Sequence, residues 1–188
     1  MDVIIIGGFH HNTLGVLRSI GAHLSPEHID VIAIGEAPQK NLLSQSKYIP
    51  RHKVNIVKNE NEITSWLLDK AKDGNKRVLI SCSDGASAEI ISHRYELQDH
   101  YLMPYTKVDI MDLMSKEVQN EYAIKSGLQV PEGIILQKGE KTNWNIFPCI
   151  IKPLKSIIGA GKADIHVVHS SEELEGVLSS IEADTIQI

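Results

Sequence analysis

Short apolar runs recur along the first half of the chain, each followed by a glycine or polar turn and then an amphipathic stretch, and they leave it few ways to fold. Val3 to Ile6 runs into Gly7 and Gly8, and Val31 to Ile34, Val54 to Val57 and Val78 to Cys82 repeat the pattern. Near-continuous runs of this kind belong to strands buried on both faces, the condition of a parallel sheet sandwiched between helices. The intervening stretches supply those helices. Leu14, Leu17 and Ile20 follow at helical spacing after Thr13, the expected cap, and Gly21 and Ser25-Pro26 close that unit. Ile63, Trp66, Leu67 and Ala71 mark a second apolar face, ended at Asp73-Gly74-Asn75. Residues 36–53, with Pro38 and Pro50, read as irregular. The expected outcome is an α/β domain over residues 1–105.

Open α/β sheets bind ligands at the carboxyl ends of their strands. The loop Gly7 to Asn12 lies at one such end and Ser83-Asp84-Gly85 at another, where Asp84 is expected to cap the helix carrying Ile90, Ile91 and Tyr95. GGFHHN is not the GxGxxG fingerprint and Glu36 stands alone as a ribose partner, so a nicotinamide-dependent enzyme is disfavoured. His10 and His11 are adjacent, and adjacent histidines meet one metal ion only where the backbone turns sharply; no carboxylate or cysteine is suitably spaced, so no metal site is assigned. Contact with a polar ligand and simple exposure both stay open for them.

Composition narrows the function classes. Nineteen basic residues against 24 acidic give a net charge of −5 without a basic cluster, and aromatics are only 5%, which argues against nucleic acid as a partner. No apolar stretch approaches a membrane span and the first residues do not form a signal sequence, so a cytoplasmic protein without a membrane partner is expected. Cys82 and Cys149 lack CxxC spacing and read as reduced core thiols.

After Pro104 the pattern changes. Val108 to Met114 and Lys116 to Gly127 read as short helices, the second started by Ser115, and short strands follow from Glu132. Phe147 to Asp164, FPCIIKPLKSIIGAGKAD, reads as a phosphate grip: Cys149 to Ile151 form a strand with Lys152 at its end. A lysine leaving an apolar strand must reach solvent or meet an anion, because an unpaired buried ammonium is costly. Ser156, Gly159 and Gly161 offer a hydroxyl and close backbone approach, Lys162 adds a charge, and Ala163 to Val168 resume a strand. GAGKAD lacks the Ser or Thr of a Walker loop. A β-hairpin with a solubilising loop explains this stretch equally well. Ser170 and Glu173 form a capping box for a helix burying Leu174, Val177, Leu178 and Ile181, and Thr185 to Ile188 begins a strand.

The order of these pieces resembles the ATP-grasp superfamily, specifically carboxylate-amine ligases of the D-aspartate ligase type. The likeness is carried by VIIIGGFHHNTLGVLRSIG, LISCSDGASAEIISHRYEL, LMSKEVQNEYAIKSGLQVPEG and FPCIIKPLKSIIGAGKADIHVVHSSEEL. It implies a Rossmann-like pre-ATP-grasp domain over 1–105, then connecting helices and the first, small ATP-grasp subdomain over 106–188. By the resemblance, Lys116 and Lys152 contact ATP phosphates from opposite sides of a domain junction, and Ser156, Gly159, Gly161 and Lys162 close over them. Gly7, Gly8, His10, Asn12 and Asp84 become substrate-side residues. The implied reaction joins a small-molecule carboxylate to an amine through an acylphosphate, with ATP and magnesium, releasing ADP and phosphate. The family's second grasp half, with its magnesium ligands and adenine hinge, has no counterpart before Ile188. The expectations are therefore a truncated chain that is inactive alone, and an uncovered carboxyl-terminal strand edge through which two copies could pair. The competing expectation is a non-catalytic α/β module that binds a small ligand.

Overall fold

The computed structural model describes residues 1–38, 41–104, 107, 109–154 and 165–188. Two compact units divide the chain, Met1–Ile110 and Met111–Ile188.

In the first unit, β1 (Asp2–Gly8) leads into α1 (His11–Gly21), β2 (Ile29–Ile34), β3 (Val54–Val57), α2 (Asn61–Ala71), β4 (Arg77–Ser81), α3 (Asp84–Ser92), α4 (Arg94–Leu97) and β5 (Tyr101–Leu102). The strands form one parallel sheet in the order β3-β2-β1-β4-β5. The apolar runs are continuous because the sheet is buried on both sides. Ile4 and Ile6 face Ile63, Leu67 and Ala71 of α2 and Ala86 and Ile90 of α3, whereas Val3 and Ile5 face Leu17 of α1 with Leu43 and Ile49. The irregular segment thus covers one face of the sheet. Asn41 shapes it, its side-chain oxygen accepting from the amides of Leu43 at 3.0 Å and Ser44 at 3.2 Å.

Charge collects at the amino ends of these strands. The buried Arg77 guanidinium donates to Asp73, one bond measuring 2.9 Å, and holds that carboxyl far below the usual range. His28 meets Asp2 at 2.9 Å, and buried Asp30 lies 3.6 Å from Lys70. The Tyr101 hydroxyl donates to the Leu67 carbonyl at 2.6 Å, and burial pushes its pKa up to about 12. These groups are paired with one another, Arg77 Nε alone making only a 3.8 Å ion pair to Asp2 without a hydrogen bond among the described residues, so this end reads as structural.

Two local expectations are corrected here. Gly7 and Gly8 continue β1, paired with Ala33 and Ile34, instead of opening the turn. The helix after them is entered through extended His10, so Thr13 lies inside the first turn, fully buried. Likewise the cap of α3 is Ser83, whose hydroxyl accepts from the Ala86 amide at 3.3 Å; Asp84 is the first helical residue.

The second unit holds α5 (Ile110–Leu113) at its start, then α6 (Lys116–Lys125), β6 (Ile135–Gln137), β7 (Cys149–Pro153), β8 (His166–Val168), α7 (Ser171–Ser180) and β9 (Thr185–Gln187). Helix α6 ends where Gly127 takes φ +78° and the Leu128 amide returns to the Ala123 carbonyl at 2.9 Å. Strands pair antiparallel in the order β6-β9-β7-β8. One face packs Leu136, Cys149, Ile151, Val168 and Ile186 against Leu174 of α7 and Ile181. Ser170 accepts from the Glu173 amide at 3.3 Å, while the Glu173 carboxylate accepts from His169 at 2.7 Å, a reciprocal cap displaced by one residue from the expected box. The strand Thr185–Gln187 is internal, flanked by β6 and β7, so the expected uncovered edge does not exist there and the argument for pairing of two copies falls with it. No helix among the described residues is long and apolar enough to cross a membrane.

Candidate functional site

Each unit carries a candidate surface. In the first, strand order reverses between β1 and β4, the switch point at which such sheets take ligands. The Cys82 amide donates to the Ile6 carbonyl at 2.7 Å, drawing the two strand ends together. Only glycine fits at position 7, since a Cβ there would lie 2.6 Å from Thr13 Oγ1 and 2.8 Å from Cys82 Cβ. The Thr13 hydroxyl has no hydrogen-bond partner of full geometry. It faces the Cys82 thiol, whose pKa is pushed up by burial and pulled back in smaller measure by that hydroxyl.

His10 turns sharply against Gly8, its amide donating to the Gly8 carbonyl at 2.9 Å and its ring lying where a Gly8 side chain would be. Phe9, His10, His11, Leu14 and Asn41 to Leu43 line a cleft of about 310 Å³. The two histidine rings stand 5.9 Å apart. Asn12 and Asp84 do not line this cleft. The helix ends differ in charge. At α1 the cap side chain makes no bond and the first turn holds no acid, so its amides suit an anionic group. At α3 the Ser83 cap and Asp84 are joined by the Glu60 carboxylate beside Gly85. Glu60 was not legible as a neighbour of Gly85, because it follows β3 and reaches α3 only through the sheet order.

In the second unit, Lys152 is inside β7 rather than at its end, directly opposite Gln187 of β9. Alternation puts it on the face away from α7, with Ile150, which is 52% exposed, and Val167, 59% exposed. Ile165 and Ile135 are exposed as well. An ammonium beside an apolar sheet surface can hold a phosphate while a flat ring lies on the aliphatic side chains. Lys116 opens α6, and its amide donates to the Leu154 carbonyl at 3.3 Å, two residues beyond Lys152. Both lysines lie in the unit 111–188, Lys116 bonded to Leu154 near the end of the strand that carries Lys152, and not on two sides of a division between units. The Lys116 ammonium donates to Gln119 Oε1 at 3.3 Å. Ser156, Gly159, Gly161 and Lys162 lie outside the described residues. Sequence reading missed the apolar neighbours of Lys152 and missed Gln187, whose Oε1 is buried without a partner. Among the described residues no group of three or more His, Cys, Asp or Glu could hold a metal ion.

This succession of a parallel Rossmann-like sheet and an antiparallel sheet backed by one helix is shared with solved ligase structures. The D-alanine–D-alanine ligase of Bacillus anthracis superposes with a TM-score of 0.57 at 17% identity, covering 100% of this chain and 56% of that one. The same enzyme complexed with ATP gives 0.55 at 17% identity, covering 100% of this chain and 58% of that one. The L-amino acid ligase of Bacillus licheniformis gives 0.57 at 10% identity, over 100% of this chain and 44% of that one. These likenesses establish the ATP-grasp fold. In sequence, the chain is similar to the D-aspartate ligase of Enterococcus faecium (strain Aus0004), 25% identical over 126 residues, which is 60% of this chain and 29% of that enzyme. No family model matches the chain. The chain thus spans less than two thirds of the length of each of these ligases.

Proposed function

We propose that this chain is the nucleotide- and acceptor-binding part of an ATP-dependent ligase that joins a small-molecule carboxylate to an amine in the cytoplasm. The observation that carries the reading is Lys152 on an exposed apolar sheet face, in a fold shared with a ligase complexed with ATP. Lys152 and Lys116 would take the phosphates, and Ile150 and Val167 would underlie the base. Ser156, Gly159, Gly161 and Lys162 complete the set by sequence. Two ammonium groups neutralise charge on a transferring phosphoryl group, and fixed cations that need no reorganisation are the main source of rate in such reactions. ATP supplies the phosphoryl group that turns a carboxylate into an acylphosphate open to attack by an amine. Gly7, Gly8, His10, Asn12 and Asp84 belong to the acceptor side, with the α1 amino terminus and the His10 cleft suited to an anionic group. Magnesium would accompany ATP, and among the described residues no group of three or more His, Cys, Asp or Glu could hold it.

The chain is expected to bind nucleotide. The test is the melting temperature with and without millimolar ATP and magnesium, for the unaltered chain and Lys152→Ala. Ligand at a hundred times its Kd stabilises by about 2.7 kcal/mol, and a chain of this size shifts by roughly 2–4 °C per kcal/mol. A shift abolished in Lys152→Ala supports the reading. An unchanged melting temperature, or a shift that survives the substitution, removes Lys152 from the site.

A further inference from the structure

We propose that Gln187 is a positioning residue for Lys152, holding the lysine ammonium in place through its side-chain carbonyl when a phosphate is bound. The inference rests on the nucleotide reading of the exposed sheet face and goes beyond it, because Gln187 touches neither phosphate nor base in this role. Three observations meet at this position. Lys152 and Gln187 are direct partners across the antiparallel β7-β9 pair, so their side chains rise from the same face of the sheet. Among the described residues, Gln187 Oε1 is buried and accepts no hydrogen bond. The Lys152 ammonium has no hydrogen bond or ion pair among the described residues, although it can donate three.

An acceptor without a donor and a donor without an acceptor stand side by side on neighbouring strands. A buried carbonyl oxygen left unpaired is unfavourable, and a cross-strand lysine is the nearest side chain able to cure it. Given one N–H to Gln187, the ammonium keeps two for phosphate oxygens, and its long stem is restricted to one region of the sheet face. Formed as the phosphate arrives, that bond gives the ammonium a second fixed partner in the complex and offsets part of the cost of ordering a flexible side chain, which opposes association. The neighbours of Gln187 support an exact placement. Ile135 lies opposite Gln187 on β6, and Gln187 Nε2 lies 3.4 Å from where a Cβ on Gly133 would stand, beside a residue with no side chain to displace it. Ile186 and Ile188 beside it are buried, which anchors the backbone that carries it.

The experiment is a double-variant cycle read by calorimetric binding of ATP and of adenosine to the full chain. Gln187→Met removes the acceptor at similar volume, and Gln187→Leu serves if that variant fails to fold. ATP affinity should weaken about tenfold, equivalent to about 1.4 kcal/mol, while adenosine affinity is unchanged, since only phosphate contacts pass through Lys152. In a Lys152→Met background, the second substitution should cost nothing further for ATP, because interacting residues are non-additive. Equal losses for ATP and adenosine, or an undiminished loss in the Lys152→Met background, overturn the positioning role and leave a structural amide. Failure of the unaltered chain to bind ATP, or equal binding by Lys152→Met, overturns the nucleotide reading itself and this assignment with it.

Discussion

Single residues at the strand ends carry constraints out of proportion to their size. Thr13 places a hydroxyl in a fully buried position with no hydrogen-bond partner of full geometry, against the closely approached Gly7 and Cys82. An unsatisfied buried hydroxyl costs more than it returns, so Thr13→Val should raise stability by about 1 kcal/mol. Urea denaturation would show a higher midpoint at unchanged slope. The same substitution removes the hydroxyl that pulls the Cys82 thiol pKa down and leaves burial to push it up, so alkylation of that thiol should slow. A loss of stability comparable to the expected gain would mean that the hydroxyl is bonded to sulfur in solution. Thr13 was legible as a cap by residue type, yet its neighbours made it a core residue, a role no local pattern contains.

At the scale of elements, most strands and helices were readable because each satisfies a local rule. Val54 to Val57 is a strand as expected, and Leu174 and Ile181 bury the face that their spacing assigns to α7. Ends were less readable, since neighbouring polar residues compete for one cap. Ser83 and Asp84 both suit that role, and the extended backbone at Ser83 decides it. Ser83→Ala should therefore cost about 1 kcal/mol, and Asp84→Ala only a few tenths through the helix dipole. Thermal denaturation of the two variants compares them directly; the reverse ranking would restore Asp84 as the cap. Position within a sheet was the least readable property. Thr185–Gln187 is the last strand in sequence but an internal strand in space, because β6 pairs back onto it. The partnership of Lys152 with Gln187 follows from that order alone.

For the whole molecule, the two ends of the parallel sheet differ: paired charges and Tyr101 stabilise the amino end, and the carboxyl end carries the cleft beside His10. The buried Tyr101 phenol has its pKa raised to about 12 from an ordinary 10, so the folded state holds its proton where the unfolded chain releases it. Its contribution is complete below pH 10 and is lost as pH rises through about 12. Tyr101→Phe should cost about 1 kcal/mol at neutral pH, through the lost bond to Leu67, and should flatten the fall in stability across that alkaline window. Denaturant midpoints at several pH values would test it, and an unchanged alkaline slope would exclude Tyr101 as its source. By itself the sequence determined the parallel α/β class, the helix faces and the strand that carries Lys152, because burial periodicity and turn chemistry are local. Only the tertiary structure decided that β9 is internal and that Gln187 stands beside Lys152. Strand order and register are set by packing between segments far apart in the chain, and no local pattern encodes them.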